Sequence, residues 1–487
     1  MKSLASFVAF AIVLAVGSSL LLTPDAAAIA PQQAPDRAVA PKPGPPPPLK
    51  VPLIQKRTLS NGVPVWIVEL HKVPVVHVSL VVKSGSGADP IGKFGIASLT
   101  AEMLDEGAGQ RTSLQIADAI DYLGASLSTS STSDASFVEL HVPVARLGDA
   151  LPIMADVALR PSFPQAELQR VREELLASLL QAQDDPATLV QFAFPRLVFG
   201  PQHRYGTVSI GTMAGVKGFN VADLRQFHAQ HYVPSNAALI VTGDVTSAST
   251  MAGLEAAFGG WKGAPAPHPA IPSGQQLTTR QVYLIDKPGA AQSQIRIGWI
   301  GVPRSTPDYF ALRVLNTILG GSFTSRLNQN LREEHGYAYG ASSSFDMRGA
   351  AGPFYAAAGV QTDKTPEALT EFFKELVAIR KPIPPEEIEK AKNYLALLLP
   401  RNFETTESLA GSLAQVFVYS LPSDYYTTYT ARIRAVTPAD VQRAAERYIQ
   451  PDKFAVVVVG DRKAIEPGIT ALNLGPIKAI EIDDVMK

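Results

Sequence analysis

Apolar residues recur along this chain with two different periods. Stretches 63–70 and 75–82 are rich in β-branched residues and are parted by His71-Lys72-Val73-Pro74, so they predict two strands joined by a turn. A helix is expected near 95–105, a strand over 136–142, and a long helix over 165–183 that begins after Pro164. One pattern occurs twice. Val221-Ala222-Asp223-Leu224 opens a segment that runs through His228 and His231 to Tyr232, then past Pro234 into an apolar run ending at Gly243-Asp244. Pro438-Ala439-Asp440-Val441 opens another that runs to Tyr448, then past Pro451 into an apolar run ending at Gly460-Asp461. Each copy reads as a helix, a turn and a buried strand. The copies start 217 positions apart, far beyond solenoid periods of roughly 20–50 residues, so duplication of a whole domain is the simplest explanation.

A Gly- and Pro-rich stretch at 259–274, with Pro265, Pro267, Pro269 and Pro272, separates the copies. It sets an N-terminal domain at 53–262, a linker at 263–274 and a C-terminal domain at 275–487, of α/β (α+β) class. Ahead of them, 29–52 holds Pro41, Pro43 and Pro45 to Pro48, a composition that favours extended polyproline over a packed core. Residues 1–28 read as a signal peptide: Lys2, an apolar run over 7–22, then Ala26-Ala27-Ala28 as a cleavage site. A retained membrane anchor is the alternative, the run being slightly shorter than the roughly 20 residues a spanning helix needs. With cleavage, no stable membrane span remains and the chain is expected in an exported compartment, the periplasm.

Composition then narrows the chemistry. A net charge of -1, with 18% charged and 46% hydrophobic residues, suits a globular protein and argues against a nucleic-acid partner held through its phosphates. The absence of cysteine excludes disulfides, thiolate–zinc sites and thiol nucleophiles.

The second half contains Ser325-Arg326-Leu327, Leu331-Arg332-Glu333 and Gly336-Tyr337-Ala338-Tyr339 in close succession. Leu327 and Leu331 mark the buried side of a short helix, Gly336 is placed to end it, and a strand is entered at Tyr337. The stretch resembles the signature of the pitrilysin- or insulinase-type zinc peptidases, the family that includes mitochondrial processing peptidase. Both halves fit that resemblance, from Leu53 onward. It implies two similar domains of about 215 residues, each a mostly antiparallel sheet with helices packed on it.

In that family the first half carries His-x-x-Glu-His on a helix and a further glutamate roughly 75 residues on. The corresponding helix is identified here by Gly95-Ile96-Ala97 at its start and Met103-Leu104-Asp105-Glu106-Gly107 at its end. Ser98, Ala101 and Glu102 occupy the first histidine, the catalytic glutamate and the second histidine positions, and Ser178 falls near the distal glutamate. A catalytic zinc site needs three imidazole, thiolate or carboxylate ligands and an open position. At most Glu102 remains, expected to face solvent or to pair with a cation such as Arg111. The eight histidines include no i, i+4 pair; only His228 and His231 are close in sequence, in the repeat helix, where a solvated surface is expected. No metal or other cofactor is therefore expected on this chain.

Arg332 and Tyr339 match the Arg and Tyr, seven positions apart, that in the family reach the substrate at the zinc. A guanidinium and a phenol suit that role because both donate hydrogen bonds to a peptide carbonyl as its oxygen gains negative charge. A helix-surface arginine paired with Glu333 or Glu334, and a half-buried strand tyrosine, are the plainer readings of each residue alone. Arg326 is expected to be structural, and Tyr337 stands where the family usually has an aliphatic residue. Gly320-Gly321 is short beside the glycine-rich loop of the non-catalytic processing-peptidase subunit, and a helix-start turn explains it equally well. The resemblance thus implies the non-zinc-binding subunit of a heterodimeric metallopeptidase, with zinc in a homologous partner subunit and a peptide as substrate. A catalytically silent peptide-binding or scaffold protein of the same fold is the alternative. An autonomous protease would need a metal site that the motif does not provide.

Overall fold

Residues 51–268 and 270–486 are described by the structure, a computed structural model; the signal segment and the Pro-rich stretch as far as residue 50 lie outside the described residues. Strands form where the β-branched runs predict them. The first half contributes β1 (Gln55–Thr58), β2 (Pro64–Glu69), β3 (Val75–Val82), the two-residue pair β4 (Gly107–Ala108) and β5 (Arg111–Thr112), β6 (Ser126–Ser131), β7 (Ser136–Pro143) and β8 (Ala237–Gly243). The second contributes β9 (Gln281–Asp286), β10 (Gln292–Ile300), β11 (Ala338–Phe345), β12 (Pro353–Gln361), β13 (Ala455–Gly460) and β14 (Ile477–Ile480).

Two six-stranded sheets result, ordered β1-β2-β8-β3-β7-β6 and β11-β12-β10-β13-β9-β14. Read from opposite edges they match. The first runs antiparallel through β6, β7, β3 and β8, then parallel to β2. The second runs antiparallel through β11, β12, β10 and β13, then parallel to β9. Only the last strand differs: β1 is antiparallel to its neighbour and β14 parallel. The duplication read from the sequence is thus a duplication of topology, and the fold is the expected α/β class with mostly antiparallel sheets.

The repeated helices, Val221–His231 and Pro438–Tyr448, start in the same way. Asn220 and Thr437 accept the backbone N–H of Asp223 and Asp440, whose carboxylates accept the N–H of the capping residue in return. Such reciprocal caps contribute about 1 kcal/mol each. The strands they lead into, β8 and β13, are buried along their whole length, which is why they read as unbroken apolar runs rather than alternating ones.

Each half also lends a helix to the other. Pro186–Phe199, started by Asp185 and Pro186, packs Leu189, Val190, Ala193 and Phe194 against Tyr283, Ile285, Val457 and Val459 of the second sheet. Thr406–Val418, started by a Thr405–Ser408 capping box, packs Leu409, Ala410, Leu413 and Ala414 against Val68, Val81 and Ile240 of the first. Burying one such Leu or Phe fully is worth about 1.5–3 kcal/mol, so this exchange joins the halves through cores rather than through a hinge. Asp134 adds a polar tie, accepting from Tyr205 of the first half and Tyr419 of the second, at 3.2 and 2.9 Å.

Candidate functional site

The helix that matches the zinc motif is Ile96–Glu102. Gly95 precedes it with φ 103°, a conformation glycine adopts without strain, and its backbone lies against Gly211 too closely for a side chain. Buried Asp89 accepts the N–H groups of Gly95 and Ala97 at 2.6 and 3.0 Å, satisfying donors that the first turn leaves free. Burial pushes the Asp89 carboxyl upward against the pull of those donors and of Arg204.

The motif positions do not fit zinc. Ser98 donates its hydroxyl to the Ser209 carbonyl at 2.7 Å, and Ala101 is a buried methyl group. Glu102 is exposed, but not beside Arg111, which pairs instead with Asp156 at 2.9 Å. That corrects the expected partner: the β4–β5 turn carries Arg111 toward the helix Leu147–Leu159. Glu102 lies among carboxylates. Surrounding protein, then Glu174, Glu106 and Asp105, raise its pKa, while Arg170 lowers it. Arg170 is itself engaged by Glu106, Glu167 and Glu174 at 2.5, 2.7 and 2.9 Å. Ser178 is exposed on the long helix Gln165–Ala182, one turn beyond the Glu174 that faces Glu102. No motif position offers an imidazole, and the one carboxylate has its charge opposed by its neighbours, so the ligand set of a catalytic zinc is not assembled at this helix.

The repeat-helix histidines are also corrected. His231 is buried, because Leu224, Phe227 and His231 form the i, i+3, i+7 stripe that faces the core, and its Nδ1 is 2.9 Å from Ser84 Oγ. His228 is half-buried, with Nε2 2.9 Å from the Ala158 carbonyl. Burial, then the charge of His268, pulls His231 from 6.5 down to about 4. Between those values the unfolded chain binds a proton that the folded chain does not, so stability falls as pH drops through that window, by about 3 kcal/mol in all. Urea midpoints for wild type and His231→Gln at pH 7 and pH 4.5 should show the wild type losing more stability on acidification. Equal losses would contradict this role.

Arg332 and Tyr339 are brought together. Arg332 lies in the π-helical turn Gln329–Glu334, anchored by buried Leu331 and by Asn330, which donates to Glu371 and Glu375 at 2.8 and 2.9 Å. Tyr339 lies in edge strand β11 at a bulge, where Ala338 and Ala341 pair with Val360 and Ala358 and leave one extra residue. Bulges re-aim side chains. The Tyr339 ring is 90% exposed, with its centroid 5.5 Å from the Arg332 guanidinium carbon. Phe323, 66% exposed, holds the same guanidinium at 4.5 Å. Asn328 braces the group, donating to the Phe323 carbonyl at 2.7 Å and accepting from the Ala341 N–H at 3.1 Å, just past the bulge. Arg332 also has Glu333 at 3.6 Å, one of the two carboxylates expected, but no hydrogen bond from its guanidinium occurs among the described residues. Phe323 was not legible as part of the site, since nothing in its spacing marks a loop aromatic that stacks on Arg332.

The residues around this pair have plain structural surroundings. Arg326 is structural, paired with Glu387 through two contacts at 2.8 and 3.1 Å. Tyr337 stacks on His335, with centroids 5.0 Å apart. Gly320 ends the helix Tyr309–Leu319 rather than starting one, and its bare Cα lets the chain pass the Ser343 backbone.

Residues 65–199 match the sequence profile of insulinase, peptidase family M16, and residues 218–395 match that of the peptidase M16 inactive domain. This chain belongs to the M16 insulinase-type peptidase family. It is 25% identical over 415 residues to an uncharacterized zinc protease of Streptomyces coelicolor, covering 84% of this chain and 90% of that one. It is 21% identical over 412 residues to a non-peptidase homolog of Helicobacter pylori, covering 82% and 92%. The crystal structure of a peptidase M16 inactive domain from Pseudomonas fluorescens superposes with a TM-score of 0.78 at 26% identity, covering 84% of this chain and 98% of that one. The lost ligand positions and these likenesses fit a non-catalytic M16 fold. Among the described residues, no helix is long and apolar enough to cross a membrane.

Proposed function

We propose that this M16 chain is the non-zinc-binding subunit of a heterodimeric, exported, periplasmic metallopeptidase, and that Arg332 and Tyr339 act on a peptide held by a zinc-bearing homologous partner. The observation that carries this is the Arg332 guanidinium held against the exposed rings of Phe323 and Tyr339, in a chain whose motif helix lacks the zinc ligand set. The ring contacts restrain the guanidinium, and with no hydrogen bond from it among the described residues its donors are available to a peptide carbonyl. Zinc and the general base belong to the partner; this chain orients a peptide carbonyl and donates to its oxygen as charge builds. The peptide itself would lie along an edge strand of the partner as an added strand.

The heterodimer is tested by expressing the chain with an exported homologue that carries His-x-x-Glu-His and separating the mixture by size. A co-eluting pair of one copy each is expected. Two chains that elute apart at micromolar concentration would contradict it, and would favour a silent peptide-binding protein, for which peptide affinity of this chain alone is the measurement.

A further inference from the structure

The register of β3 and β7 sets His77 directly opposite His141, with ring centroids 6.2 Å apart. Strand alternation decides which face they occupy. Val76, Val78 and Leu80 of β3, with Leu140 and Val142 of β7, enter the core shared with Leu99 of the motif helix. Val81, on the other face, meets Leu409 and Leu413 of the helix lent by the second half. His77, Glu139 and His141 therefore lie on the face covered by Thr406–Val418, across the sheet from Ser98 and Glu102. Glu407, in the first turn of that helix, brings Oε1 to 2.6 Å from His141 Nδ1. Thr242 of β8 holds the helix start in place by donating to the Thr406 carbonyl at 2.8 Å.

His77 is the decisive residue. It is 4% exposed, and neither of its ring nitrogens makes a hydrogen bond. Glu139 Oε1 is 3.5 Å from its Nε2, an ion-pair distance rather than a hydrogen bond. A buried imidazole left in that state is costly. One ligand atom each from His77, His141 and Glu407 lies within 4.8 Å of the other two. Ligands on a tetrahedral zinc stand roughly 3.4 Å apart, so small side-chain rotations close the triangle.

We propose that His77, His141 and Glu407 bind one divalent transition-metal ion of the zinc class, with Glu139 as the carboxylate that orients His77. The ion clamps two strands of the first half to the helix lent by the second. It departs from the expectation that the chain binds no metal, but it lies across the sheet from the motif helix and restores no peptidase site. It does not depend on the heterodimer.

The test uses the full chain, purified without a polyhistidine tag, stripped with chelator and titrated with zinc in a calorimeter and in thermal unfolding. One equivalent should bind and raise the unfolding midpoint. His141→Ala and Glu407→Gln replace half-buried and exposed side chains; each should weaken binding at least tenfold and abolish the thermal shift, with the far-ultraviolet spectrum unchanged. Glu102→Gln should bind as wild type. Absence of zinc binding by wild type, binding unchanged in both His141→Ala and Glu407→Gln, or loss only in Glu102→Gln would overturn the proposal.

Discussion

Replacing Arg332 by alanine should lower peptide hydrolysis by the proposed heterodimer roughly 10²- to 10³-fold while leaving this chain folded, the loss expected for one preorganised donor to a developing oxyanion. The fall should appear mainly in kcat, because a donor that engages the charged oxygen contributes little to the ground state. Stability should change by no more than about 1 kcal/mol, since the guanidinium is held by two exposed rings and not by a buried network. Arg332→Lys should recover only part of the rate, because an ammonium keeps the charge but neither the plane nor the fork of donors. Tyr339→Phe should lose less than Arg332→Ala, as the ring that flanks the guanidinium stays. Steady-state kinetics beside thermal unfolding separate the cases. A rate that falls only in step with the unfolding midpoint would make Arg332 a brace for Phe323 and Tyr339 and nothing more.

The largest effect on stability is expected at Phe194, where substitution by alanine should cost about 3–5 kcal/mol. Phe194 is fully buried on the helix that the first half lends to the second sheet, and its ring meets Tyr355 edge-on at 6.1 Å. The cavity would open at a junction of the two halves rather than within one. Leu413→Ala, its counterpart on the reciprocal helix, should cost about 2–5 kcal/mol by the same mechanism. Urea midpoints measure both. A cost below about 1 kcal/mol for Phe194→Ala would mean that the helix exchange contributes little to holding the halves together.

Much of the fold was legible because β3 carries a dense β-branched stretch, and strands such as β8 and β13 are buried on both faces and read as unbroken apolar runs. The helix caps repeat with them, so Asn220–Asp223 and Thr437–Asp440 advertise the duplication. The exchange of helices was not legible. The apolar positions of 186–199 and 406–418 say that each helix is buried, but no period says against which sheet. Partners distant in sequence were hidden for the same reason: Arg111 finds Asp156, and His77 finds His141 only through the β3–β7 register. His231 reads as a surface residue because a polar side chain on the core stripe is marked as buried only by its hydrogen bond with Ser84. At the site, Arg332 and Tyr339 stood out through the family resemblance, whereas the bulge at Tyr339 and the loop that brings up Phe323 are backbone features that no residue type declares.

Complementation of a zinc-bearing homologue tests the proposed division of labour most directly. The quantity to measure is kcat/KM for an unfolded peptide with the partner alone, with the partner plus this chain, and with the partner plus an Arg332→Ala, Tyr339→Phe chain that still co-elutes with it. Low activity for the partner alone, restored by the wild-type chain and not by the double variant, is the expected result. Full activity without this chain, or full restoration by the double variant, would contradict it.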